Sequence, residues 1–233
     1  MIARLRRLRD DESGMSITEL VVTMFVTGIL LAIVASMFLN VARVTANSNA
    51  SNQRSSVAAN IMEGITKVIR TATNVDVSTS DTPDPAIVAA TAKSLTIYTY
   101  VDLKVEDYVN TPTSTPPPTK VVYRVDASGN LLEDRYSSAL SGGFWIFSST
   151  AITRTVGGPV QTLTGDDALF VYLDSGNKAM IPGADGLSLI QRSSVSSVRV
   201  NVRILNALTT GADPIVVQNT IGMPNLKLSR TDT

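Results

Sequence analysis

The sequence predicts an α+β fold in which a long N-terminal membrane-spanning helix packs on an antiparallel β-sheet head. Residues 15–39 form an apolar run that is long enough to cross a membrane. Apolar residues then recur at helical spacing as far as residue 72. Beyond residue 74 apolar and polar residues alternate, as they do in half-buried strands. A helix followed by a series of strands is typical of the α+β class.

The composition excludes most catalytic chemistry. The chain has 233 residues, enough for one globular domain with an appendage. It contains no Cys and no His, which removes disulfides, thiolate nucleophiles, the common zinc ligands and the usual general base near neutral pH. The 20 basic and 20 acidic residues balance, so no basic surface for nucleic acid is predicted. We therefore expect a protein that is not an enzyme, with no cofactor, no metal and no direct nucleic-acid partner.

The N-terminal charges predict an orientation in the membrane. Basic residues precede the apolar run, and within that run the only formal charge is Glu19. The positive-inside rule places the N-terminus in the cytoplasm and everything after Leu39 outside. The basic residues are Arg4, Arg6, Arg7 and Arg9. An ordinary signal peptide cut near Val44-Thr45-Ala46 and an uncut signal anchor both fit this pattern, although the apolar run is longer than a usual signal-peptide core.

Two motifs support a third interpretation of the N-terminal segment. Gly14 to Leu20 reads GMSITEL, and Gly28 to Ala32 reads GILLA. Together they resemble the type IV prepilin family, in which a short basic leader ends in Gly and Glu is fifth in the mature chain. The resemblance implies cleavage between Gly14 and Met15 by a prepilin peptidase, N-methylation of Met15, and retention of the apolar helix.

The same resemblance gives Glu19 a role in assembly. An acid facing lipid costs about 2.5 kcal/mol or more, and a buried acid is tolerable only when it is paired. In the family this carboxylate meets the N-terminal amine of an adjacent subunit, which sets the axial register. The alternative is that Glu19 extends to the headgroups. Gly28 is expected to give the helix flexibility, while Met15 and Ser36 replace the family's usual Phe and Pro.

After the membrane run we expect a helical stem. An apolar stripe predicts a helix that packs on the head. Its members are Val57, Ile61, Ile65, Val68, Ile69 and Ala72. Residues 45–56 are rich in Asn and Ser and predict a solvated helical turn or a partial break. Gly64 either allows a close approach of the sheet or weakens the helix. The expected division is a leader at 1–14, the membrane helix at 15–39, the stem at 40–74 and the head at 75–233.

Six segments of the head predict strands. Residues 95–101, 170–174, 198–205 and 214–220 have strand patterns, and KVVYRVD and LLEDR flank a turn at residues 127–130 as in a hairpin. In the strand at 198–205, Arg199, Asn201 and Arg203 are expected to face solvent. Residues 79–85 and 111–119 are rich in Pro, Thr and Ser, and we expect loops that join no ladder.

This order of elements is similar to that of J-type minor pseudopilins and W-type minor pilins, and Glu19 argues against a K-type tip subunit. The resemblance implies a structural subunit that joins or primes a type IV pilus or a type II secretion pseudopilus. Its implied partners are other pilin subunits, the prepilin peptidase, an inner-membrane assembly platform and membrane lipid. The alternative function is a secreted or membrane-anchored binding domain with an ordinary signal peptide.

Two further groups have competing interpretations. Asp174, Asn177 and Asp185 could supply oxygen ligands to Ca²⁺, but ordinary turn formation explains them better. Residues 165–167 are expected to form another turn. Trp145 could be an exposed contact for a partner, but packing in the core is the favoured interpretation.

Overall fold

The computed structural model describes residues 16–77, 83–102, 116–205 and 214–227. The chain divides into two compact units, one extending to Ser51 and the other beginning at Asn52. The first unit contributes the N-terminal part of a long helix. The second contains the remainder of that helix and the β-sheets, so the antiparallel α+β character predicted from the sequence is present.

Helix α1 runs from Ile17 to Arg70 without interruption. The partial break that the sequence allowed at residues 45–56 is not formed, and the solvated helical turn is what the structure contains. Helix propensity is a weak preference, and the polar side chains of this stretch are largely exposed, so they do not disturb the backbone. The Thr45 hydroxyl donates a hydrogen bond to the Val41 carbonyl oxygen, at 2.9 Å.

The strands in the described residues form three antiparallel sheets. The first contains β1 (Ile87–Ala90), β2 (Leu95–Thr99), β3 (Thr119–Val125), β4 (Leu131–Tyr136) and β7 (Ile152–Gly157), in the order β1-β2-β3-β4-β7. The second has the order β11-β10-β8-β9 and contains β8 (Phe170–Leu173), β9 (Ala179–Met180), β10 (Ser197–Ile204) and β11 (Ile215–Gly222). The third is a hairpin of β5 (Ser138–Ser141) and β6 (Phe144–Phe147).

Short helices complete the second unit. Helix α2 covers Leu189–Ser194 and begins with a capping box, in which Ser188 and Gln191 exchange side-chain to backbone hydrogen bonds. Single turns of 3₁₀ helix occupy Gly165–Asp167 and Pro224–Lys227. The first of these is the turn expected at residues 165–167.

The predicted hairpin is confirmed. Strands β3 and β4 pair antiparallel from Val125 opposite Leu131 outward. The Asp126 carboxylate accepts hydrogen bonds from the backbone N–H groups of Ser128 and Asn130, both at 2.8 Å. These bonds lower the pKa of Asp126, and Gly129 supplies the positive φ of 83° that the turn requires.

The Pro-rich segments contribute more to pairing than expected. Residues 79–82 of the first segment and residues 111–115 of the second lie outside the described residues. Thr119, however, is buried and opens β3 opposite Thr99, and Asp84 forms an isolated bridge with Val75. The expectation that these segments join no ladder was therefore wrong at Thr119, which follows the last Pro of its segment, and at Asp84, which lies between Pro83 and Pro85.

One hydrophobic core lies between the helical stripe and both larger sheets of the second unit. The predicted stripe is buried except for Val57, which is partly buried, and Ala72 follows the helix end. Large fillers from the sheets include Ile97, Tyr123 and Phe170. The helical period read from the sequence thus marks the face of α1 that the sheets cover.

Two expectations about individual side chains were wrong. Asn201 does not face solvent: it is buried, its amide donates to the carbonyl oxygens of Asp166 and Ala168, and its own carbonyl oxygen accepts from Gln218. Trp145 is half-buried in the β5–β6 hairpin and is not a core residue. The aromatic packing at this hairpin is made instead by Phe147, which stacks on Tyr98 with ring centroids 4.8 Å apart.

A glycine does allow close packing between helix and sheet, but it lies on the strand. A Cβ built on Gly157 would lie 2.8 Å from Ile61 Cδ1 and 3.0 Å from Val57 Cγ1. A Cβ on Gly64 would make only ordinary contacts, the nearest being 3.9 Å from Arg154 Nη2 and Val156 Cγ1. Gly64 therefore weakens the helix without being needed for packing.

These distances predict opposite signs for two matched substitutions. Gly64→Ala is expected to raise the free energy of unfolding by about 0.5–1 kcal/mol, because alanine restricts the unfolded chain and favours the helix. Gly157→Ala is expected to lower it by about 1–3 kcal/mol through overpacking. Urea unfolding of the full chain in detergent, followed by the fluorescence of its single Trp145, measures both. Equal signs would contradict the assignment of the close contact to Gly157.

Candidate membrane and assembly helix

The N-terminal part of α1 carries an extensive apolar surface. Its large apolar side chains are exposed over the first unit, from Ile17 at 82% to Val44 at 68% of their full exposure. A surface of this extent is far larger than the apolar patches that a protein leaves in water, so it requires hydrocarbon or protein as cover. From Ile17 to Leu39 a helix is roughly 34 Å long, enough to cross a hydrocarbon core.

The polar side chains within this run are compatible with an apolar medium. Thr23 donates its hydroxyl to the Leu20 carbonyl oxygen at 2.9 Å, and Ser36 donates to the Ile33 carbonyl oxygen at 2.7 Å. Such bonds satisfy the hydroxyl proton inside the helix itself. The structure thus contains one helix near the N-terminus that could span a membrane, a property that signal sequences share.

Glu19 lies in the first turn of α1 and is exposed. The unsatisfied N–H groups of a helix start give that end a partial positive charge, which favours a carboxylate there. This local interaction offsets a part of the cost of placing an acid beside an apolar run. It leaves both carboxylate oxygens accessible to a further partner.

The other residues predicted to act in processing and assembly are placed differently. Gly14 and Met15, the predicted cleavage pair, lie outside the described residues. Gly28 is helical, and a Cβ there would meet no atom within 4 Å. Space around it is therefore open to a neighbouring helix, but the fold itself does not require glycine at this position.

The candidate calcium ligands form turns. Asp174 Oδ1 accepts the backbone N–H groups of Gly176 and Lys178, both at 2.9 Å, and Asn177 takes a positive φ of 62°. Asp185 lies in the separate turn from Gly183 to Gly186. Within the described ranges, no three residues of the types that bind metals lie together.

A charged cluster that the sequence analysis missed lies on the core side of the first sheet. Glu133 is fully buried, and its carboxylate accepts from Tyr123 Oη at 2.7 Å and from Arg154 Nε and Nη2 at 2.8 Å. Arg135 also donates to Glu133 and reaches Asp102. On the opposite face of the same sheet, Asp134 pairs with Arg124 at 2.7 Å and accepts from Thr153.

The hydrogen bonds of this cluster hold Glu133 ionised. Burial acts to raise its pKa, but the bonds from Arg154, Tyr123 and Arg135 outweigh burial and leave the pKa below its usual value. Burial and the adjacent Glu133 charge raise the pKa of Tyr123. Each carboxylate oxygen of Glu133 accepts two hydrogen bonds from the protein's own donors, so the cluster stabilises the head.

Comparisons with protein-family models, with curated proteins and with solved structures find no match to this chain. The class of protein is therefore described from the fold and the N-terminal helix alone. It is an α+β chain with one exposed apolar helix able to span a membrane and a second compact unit built on antiparallel sheets.

Proposed function

We propose that the chain is a minor type IV pilin or pseudopilin, a structural subunit without enzymatic activity. In this proposal it inserts in the inner membrane with its N-terminus in the cytoplasm and its head outside. The prepilin peptidase then cleaves it before Met15, and an assembly platform incorporates it into a pilus or a secretion pseudopilus, where it adds to or primes the filament.

One observation carries the proposal: an acid, the Glu19 of the GMSITEL motif, occupies the first turn of an exposed apolar helix. A lipid anchor alone needs no carboxylate at that position, whereas a helix that packs against identical or related helices can use it as a paired contact. The long α1, whose last turns bury their apolar stripe under the sheets, gives such a helix a folded unit to carry.

The mature N-terminus tests the proposal. Mass spectrometry of the protein purified from its own cells is expected to find a chain that begins at Met15 and is heavier by one methyl group. Gly14→Val is expected to leave the leader attached, because the implied peptidase recognises glycine at that position. Gly28→Ala serves as the matched control and should be processed normally, since the space around Gly28 accepts a methyl group.

Other termini support the competing functions. A chain that begins at Asn47 would indicate an ordinary signal peptidase and a secreted binding domain, and an intact chain from Met1 would indicate a plain membrane anchor.

A further inference from the structure

The two larger sheets end in four edge strands, β1, β7, β9 and β11. An edge strand presents unpaired backbone groups, and proteins usually protect it by shortness, charge, bulges or a covering element. The four edges of this fold differ in that protection.

Three of the edges are protected. Strand β1 is covered by the segment around α2, because Arg192 donates to the carbonyl oxygens of Ile87 and Val88 and the Leu187 N–H donates to Ala90. Strand β9 has only two residues. Strand β7 carries Arg154, pairs with a register shift and is followed by a Gly-Pro pair.

Within the described residues, strand β11 has no such protection apart from Pro214 directly before it and Pro224 two residues after it. Its eight residues, IVVQNTIG, include no charge and no proline.

The pairing of β11 with β10 shows which of its backbone groups point outward. The Met223 N–H donates to the Ser196 carbonyl oxygen, and the register pairs Gly222 with Ser197. Because backbone groups alternate in direction along an antiparallel strand, the odd-numbered residues of β11 bond to β10. The N–H and C=O groups of Val216, Gln218, Thr220 and Gly222 therefore point to the outer edge.

The charge next to this edge indicates what it would bind. Arg199 and Arg203 lie on β10 directly opposite Thr220 and Val216, so their side chains share one face of the sheet with these residues. Both arginines are half-buried, and the salt bridges found in the described part of the chain engage other arginines. A strand added beside β11 would lie within reach of two cations.

We propose that the outer edge of β11 is a docking site for an extended acidic segment of another polypeptide, which adds to the sheet as a fifth strand. Backbone hydrogen bonds would supply affinity, and carboxylates on the face of Arg199 and Arg203 would supply selectivity. A second copy of this chain, paired antiparallel through β11, would bring two more arginines to the same face, and like charges disfavour that occupant.

Amide hydrogen exchange of the full chain in detergent tests the proposal. The probe is an end-blocked peptide about ten residues long that alternates valine with glutamate, and its control replaces glutamate with lysine. At saturation the glutamate peptide is expected to slow exchange at Gln218 and Thr220 about tenfold or more. The amides of Val217 and Asn219, already bonded to β10, should change little.

Two sets of variants isolate the two contributions. Thr220→Pro removes an outward N–H and should abolish peptide binding, whereas Thr220→Val retains that N–H and should bind normally. Replacing Arg199 and Arg203 by Gln should weaken glutamate-peptide binding about two- to fivefold and remove the preference over the lysine peptide.

Several results would overturn the proposal. These are slow exchange of the outward amides without peptide, equal binding of the two peptides, and unchanged binding by Thr220→Pro. Protection that depends on protein concentration and accompanies a dimeric mass would identify a second copy as the occupant instead. The inference does not rest on the proposed function, because processing at Met15 and pairing at β11 are measured separately.

Discussion

Glu19→Val is expected to leave membrane insertion unchanged while incorporation into filaments falls at least about 100-fold. Valine makes the run from Ile17 to Leu39 more apolar, so insertion should be preserved. In the proposed filament the substitution removes the partner of a neighbouring subunit's N-terminal amine. Leaving one member of a buried ion pair alone costs about 3–5 kcal/mol, and each 1.4 kcal/mol corresponds to a tenfold change in an equilibrium.

Thr23→Val is the matched control for this substitution. It also replaces a polar side chain of the same helix by valine, but the Thr23 hydroxyl donates to the Leu20 carbonyl oxygen within that helix. Immunoblots of membrane and sheared-filament fractions measure insertion and incorporation in the same cells. Normal incorporation of Glu19→Val, or an equal loss in Thr23→Val, would refute a specific pairing role for the carboxylate.

Glu133→Gln is expected to lower the free energy of unfolding by about 2–3 kcal/mol near neutral pH. The amide keeps the shape of the side chain but loses charge-assisted bonds to Arg154 and Arg135 and its bond from Tyr123. We place the value below the usual cost of breaking a buried pair, because Arg154 is half-exposed and water can solvate it. Tyr123→Phe removes a single bond and should cost about 1–2 kcal/mol.

The loss should depend on pH in one direction. The folded-state pKa of Glu133 is lowered from its ordinary value of 4.5, so its contribution is complete above that pH and is lost as pH falls through the folded-state pKa. Urea unfolding at a series of pH values should therefore show the wild type and Glu133→Gln converging in acid. A difference that stays constant down to pH values well below 4.5 would show that packing, and not the carboxylate charge, is responsible.

The periodicity of apolar residues along the sequence was sufficient to predict the main elements of secondary structure. The stripe from Val57 to Ala72 and the alternation in residues 198–205 correspond to buried faces in the structure. These patterns are local, since one helix face or one strand face must meet the core wherever the element lies. The short strands β1, β5, β6 and β9 have too few residues for a period to be read, and β7 carries an arginine that obscures it.

The features of the candidate site likewise divide into those that the sequence predicts and those that depend on the tertiary structure. The sequence by itself determined that an apolar run with Glu19 near its start follows a basic segment, because length and charge along one chain decide whether a helix suits a membrane. Only the tertiary structure decided that Glu133 is buried among two arginines and Tyr123, and that Asn201 forms its hydrogen bonds inside the fold. It also decided that Gly157, and not Gly64, makes the close contact with α1, and that β11 is an edge strand. Each of these depends on which strands are neighbours, and pairing between residues distant in sequence leaves no periodic trace in the chain.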